Sequence, residues 1–174
     1  MKGEKQENIV LGRGIFKIDD VAVGLTRDGG TFKVEYTHRV INADGDRGTV
    51  KGRVLREEAK AFMSINHLEV LTSFEALHTG VKSDTTTKQG YTTYKGTGKI
   101  DDANDYHTVT FVGETKNGRE VVIEINNAIN LENIEWTLKD KDDVIDSVTY
   151  EATYDPQAED QFDENWTVSY KTTV

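Results

Sequence analysis

The sequence predicts a mainly β domain with one short helix, and three observations predict it. Residues 31 to 40 alternate with period two: Phe32, Val34, Tyr36, His38 and Val40 on one side, Thr31, Lys33, Glu35, Thr37 and Arg39 on the other. Successive strand side chains point to opposite faces, so this pattern buries one face and wets the other. Residues 108 to 125, TVTFVGETKNGREVVIEI, place two apolar alternations around Asn117-Gly118. That dipeptide tolerates the positive φ angles of a type I′ turn, which predicts a hairpin. Helical signals gather in LTSFEALHTG alone.

Taken in order, residues 1 to 12 are polar, mixed in charge and expected as a flexible arm. After the strand at 31 to 40, residues 55 to 65 repeat the alternation with Leu55, Ala59, Ala61, Met63 and Ile65, interrupted by Glu57. A helix is expected over about 71 to 79, with Thr72 as cap, Glu75 completing a capping box and Gly80 closing the C-terminus. Leu71, Phe74, Leu77 and His78 then form its packing stripe. Residues 80 to 105 read as a long polar loop, in which the stretch around Tyr91 and Tyr94 can pair as a hairpin. Beyond the Asn-Gly hairpin, one strand is expected at Ile134, Trp136 and Leu138. Another is expected at Val148, Tyr150, Ala152 and Tyr154. Pro156 marks entry into a C-terminal arm, 157 to 174, leaving 13 to 156 as the β domain.

Composition narrows the function classes. Hydrophobic residues are 36% of 174, below the roughly 45–50% of an ordinary domain, so a thin core is expected. The net charge of −10 disfavours stable docking onto nucleic acid or an anionic membrane. Cysteine is absent, which excludes disulfides and thiolate metal sites. The start, MKGEKQENIV, lacks the apolar stretch of a secretory signal, and no run approaches a membrane span. A soluble chain kept in a cytoplasm is the expectation. Charge is also segregated: residues 140 to 164 hold ten acids and one base, whereas 80 to 100 hold Lys82, Lys88, Lys95 and Lys99 against Asp84.

Catalytic and ligand motifs are weak. In VINADGDRGTVKGRV, residues 40 to 54, a calcium loop starting at Asn42 would put Arg47 at the glycine position and Arg53 at the bidentate glutamate position. A phosphate cradle would need a helix after the glycines, and the flanks read as strands. A water-facing turn fits both the glycines and the charges. His38 falls on the inner face of a strand, where a hydrogen-bonded core or semi-buried histidine is expected before a catalytic base. His67, His78 and His107 lack metal-ligand spacing. Trp136 reads as core and Trp166 as an anchor for the C-terminal arm. No catalytic, metal or cofactor residue is expected.

Two longer runs carry a resemblance. GRGIFKIDDVAVGLTRDGGTFKVEYTHRVINADGDRGTVKGRVL and AINLENIEWTLKDKDDVIDSVTYEATYDP resemble the tail tube (major tail) proteins of long-tailed bacteriophages and prophages. The likeness spans about residues 12 to 156 and is weakest over 80 to 105. It implies a β-sandwich or barrel-like pair of sheets with one flanking helix. It also implies hexameric rings stacked into a hollow tube around the tape-measure protein, in contact with tail terminator and distal tail proteins. The location would be the virion tail, after assembly in the host cytoplasm. DNA would pass in transit, without tight binding. The family has no catalytic residues to carry over. Expected subunit contacts are Asp44, Asp46 and Arg47 in the glycine-rich turn, and the lysines Lys82, Lys88, Lys95 and Lys99. These lysines would meet Asp155, Glu159 and Asp160 of the next ring. Head-to-tail contacts of this kind propagate without closing. The competing readings are another non-enzymatic β-rich phage or injection-system component (neck, head decoration or secretion tube) and an enzyme.

Overall fold

The computed structural model describes residues 9 to 157 and 164 to 172. Among the described residues ten strands and one helix follow in the order β1 (Val10–Ile18), β2 (Val21–Ala22), β3 (Thr26–Val40), β4 (Val54–His67), α1 (Phe74–Leu77), β5 (Val81–Asp84), β6 (Thr93–Gly96), β7 (His107–Thr115), β8 (Glu120–Asn130), β9 (Asp146–Ala152) and β10 (Trp166–Tyr170). The mainly β class with a single short helix is what the alternation predicts.

Eight strands form one antiparallel sheet in the order β2-β1-β7-β8-β9-β4-β3, with β10 added on β8. The sheet folds over at β8. Val121 to Ile125 pair with β10, whereas Ala128 to Asn130 pair with β9. Between them Asn127 takes a positive φ of 49°, and two residues of β8 oppose one of β7. Such a bulge bends a strand and lets it serve two layers. The folding brings distant strands face to face. Phe16 of β1 packs where Gly30 of β3 has no side chain, a Cβ there falling 2.7 Å from the ring. Trp166 of β10 stacks on Phe32 of β3 at 5.9 Å. The result is a sandwich-like body whose core joins Phe16, Ile18, Met63, Ile65, Val109, Phe111, Ile125, Val148 and Tyr150.

The 108 to 125 hairpin forms as β7 and β8, but its turn differs from the expected one. Thr115 N–H bonds to Arg119 O at 2.8 Å and Gly118 N–H to Thr115 O at 2.9 Å. Only Gly118, at φ 78°, is left-handed. A three-residue loop ending in a glycine bulge therefore replaces the two-residue type I′ turn. The I′ geometry occurs instead between β1 and β2, where Asp19 and Asp20 have φ of 49° and 65°.

Several further expectations are corrected. The helix covers one turn, 74 to 77, and its cap Ser73 makes no side-chain bond. Glu75 does not complete a capping box, because its carboxylate accepts the Ser83 N–H of β5 at 3.1 Å. No strand forms at 134 to 138; β8 already has β7 on one edge and β10 and β9 sharing the other, so no ladder position is open beside it. Tyr154 lies past the end of β9 and is exposed. His38 is exposed too, because β3 runs past the body before reaching it. β1 begins at Val10 and β10 lies within 157 to 174, so strands occupy parts of both expected arms; residues 1 to 8, 158 to 163, 173 and 174 lie outside the described residues. Inside the expected 80 to 105 loop, β5 and β6 pair as a hairpin.

Candidate functional site

The most distinctive surface is a two-stranded ribbon. β9 pairs with β4 only from Phe62 to His67, while β3 and β4 stay paired out to Val40 and Val54. Residues 34 to 40 and 54 to 61 therefore extend with no third strand among the described residues. Alternation predicts a buried face here, but the body ends first and Tyr36, Val54 and Leu55 are exposed. At its base, Arg56 stacks on Tyr36 at 3.9 Å and donates to Glu164 at 2.7 Å. Glu164 also accepts from the Trp166 indole at 2.8 Å. Partial burial pushes the Glu164 carboxyl up, but the bonds from Trp166 and Arg56 outweigh it and hold it below the ordinary value. A cleft of about 1050 Å³ lies here, between the ribbon and Ala152 to Pro156.

The glycine-rich turn caps the ribbon. Gly45, Gly48 and Gly52 all adopt positive φ, which is why glycines are needed. Asp46 staples the loop: one carboxylate oxygen accepts Ala43 N–H at 2.7 Å and Arg53 at 2.8 Å. Among the expected contact residues, Asp46 is thus engaged within its own loop. Asp44 and Arg47 are exposed, and Arg47 has no ion-pair partner among the described residues.

The expected basic patch is largely neutralised in its own subunit. Lys82 and Lys95 face each other across β5 and β6, and each is offset by an acid: Lys82 by Asp101 at 3.5 Å, Lys95 by Asp84 at 3.0 Å. The Asp84 carboxyl is held far below its usual range by the Thr86 and Thr87 hydroxyls, the Thr86 N–H and Lys95. Lys88 lies over the Tyr91 ring at 3.8 Å, and Lys99 is exposed. Extending the window to residue 105 adds Asp101, Asp102 and Asp105, so four lysines meet four aspartates. Asp155 is exposed and accepts Gln157 N–H; Glu159 and Asp160 lie outside the described residues.

Two histidine–carboxylate pairs were not visible in sequence. Asp146 of β9 lies opposite His67 of β4 and binds His78 Nε2 at 2.5 Å, with both members of that pair 2% exposed. His67 Nε2–H donates to Val23 O, since a carbonyl can only accept. This cluster seats the one-turn helix. Tyr150 donates to Ala76 O at 2.5 Å and Asn130 to Leu77 O at 2.6 Å, satisfying helix-end carbonyls. Burial, then the charges of Asp19 and Asp146, push the Tyr150 phenol far up, so it remains a donor. No substrate can reach the His78–Asp146 pair. The second pair, His107 Nδ1 to Asp19 at 2.6 Å, borders a cleft of about 540 Å³ with Glu75, Lys82 and Tyr106. Asp19 also accepts Thr108 N–H at 2.9 Å, so this carboxylate closes the strained β1–β2 turn. No group of three metal-ligating side chains occurs among the described residues, and no described helix is long and apolar enough to cross a membrane. Comparison with known protein families and with curated proteins finds no match.

Proposed function

We propose that the protein is a structural subunit that polymerises as stacked hexameric rings into the tail tube of a long-tailed phage. The observation that carries this reading is the unsupported ribbon. An isolated two-stranded hairpin is marginally stable in water, and this one projects Tyr36, Ile41, Val54 and Leu55 into solvent. Neighbouring copies would bury those side chains and supply the missing third layer. The first run that resembles tail tube proteins includes the β3 side of the ribbon, its turn and the start of the return strand, up to Leu55. In this reading the tape-measure, terminator and distal tail proteins are the partners. The charge of −10 keeps passing DNA from being gripped.

Negative-stain imaging over a concentration and salt series tests the proposal. Long tubes with a central bore, which do not retain duplex DNA near physiological salt, are expected. A particle that stays single under every condition would end it, and isolated closed rings would favour a neck or decoration protein instead.

A further inference from the structure

Residues 131 to 139, LENIEWTLK, form no helix, strand, turn or bend. Their side chains nevertheless keep a strand pattern, with Ile134, Trp136 and Leu138 alternating with Glu135, Thr137 and Lys139. Only Trp136 is partly covered, by Phe74 at 5.5 Å; Ile134 is 49% and Leu138 77% exposed. β10 is the complementary case. Among the described residues it pairs on one edge only, with β8. Its sequence WTVSY has the same alternation, and Val168 and Tyr170 are 51% and 53% exposed. An exposed apolar edge strand is a pairing template unless something covers it.

We infer that residues 133 to 139 of one copy add as an antiparallel strand to the open edge of β10 in a second copy. The inference rests on the self-assembly reading and names one interface of it. In the register that opposes Thr137 to Thr167, Ile134 faces Tyr170, Trp136 faces Val168 and Leu138 faces Trp166. Apolar side chains then share one face and polar ones the other. Glu135 falls diagonal to Lys171, whose ammonium Glu120 already holds at 3.2 Å in its own subunit, so the pairing of side chains rests on the apolar face. As a strand the nine-residue segment would span about 30 Å, ample for the five residues of β10. Because the donor segment and the acceptor edge are different surfaces, the contact is heterologous and suits a ring. A second copy is the fitting occupant because this chain itself carries both halves of the matched pattern.

The chain has no cysteine, so cross-linking tests the pairing. Thr137→Cys and Thr167→Cys proteins are prepared separately, mixed under assembling conditions and oxidised. A disulfide dimer is expected from the mixture and from neither protein alone. Leu138→Pro removes a ladder donor at an exposed site, so the monomer's circular dichroism and Tm should be unchanged. The concentration for half-assembly should rise about tenfold. Normal tubes without the mixed disulfide, a disulfide from either variant alone, or a Leu138→Pro protein that assembles like the parent would each overturn this interface while leaving the tube proposal standing. No assembly and no cross-link under any condition would overturn both.

Discussion

At the residue scale, the polar interior is organised around Asp146. Its carboxylate is buried beside His78, with His67 opposite it across the strand pair. Removing the imidazole leaves a carboxylate uncompensated in a poorly solvating site, at a cost of about 3–5 kcal/mol, and removing the carboxylate leaves a buried polar group without its partner, at about 1–3 kcal/mol. Asp146→Ala is therefore expected to lower the denaturant midpoint strongly. His78→Ala should do so as well, and the double variant should lose clearly less than the two added together. Strict additivity in urea titrations would show that the pair carries no coupling.

At the element scale, the ribbon is held at its base by few bonds, and Glu164 collects two of them. Its pKa is depressed in the folded state. The carboxylate's stabilisation is therefore present above the unfolded value of about 4.5 and is lost as pH falls through the lower folded value. Acid titration should release Trp166 and shift its fluorescence before the body unfolds, and Glu164→Gln should abolish that early step. A variant whose acid transition matches the parent's would remove Glu164 as the anchor. The one-turn helix shows the same dependence on side-chain bonds. Glu75 is drawn to Ser83 of β5, and α1 is secured at its C-terminal carbonyls by Tyr150 and Asn130.

At the scale of the whole molecule, a folded-over sheet supports a thin core, and the ribbon lies outside it. Local stability follows buried contacts. Amides of 36 to 58 are thus expected to exchange quickly in the monomer while those of 61 to 65 are protected. Assembly should then raise protection over the ribbon by about tenfold or more. Equal exchange across the ribbon in both states, measured by mass spectrometry, would mean that no neighbour covers it.

The strands at 31 to 40, 55 to 65, 108 to 125 and 148 to 152 were legible because period-two alternation is a local property of the chain. So was the glycine turn, since positive φ needs glycine wherever the loop goes. The tight Asp19-Asp20 turn was not legible. Without a glycine the pair gives a weaker turn signal than Asn-Gly, and this turn draws on His107 and Thr108, nearly ninety residues away. The strand pattern at 134 to 138 was read correctly as a pattern, but alternation says which side chains can be buried together and says nothing about whether an edge is open beside them. Likewise, the lysines of 80 to 100 looked like a patch because Asp101, which offsets Lys82, lies just past the end of that window. By itself the sequence determined the strand-rich class, the turn chemistry and the acidic balance, all of which depend on residues close in the chain. Only the tertiary structure decided the fold of the sheet at Asn127, the His78–Asp146 seat and the ribbon left without a third strand among the described residues. Each of those arises from which distant segments meet, and pairing across such distances is set by packing that no local window contains.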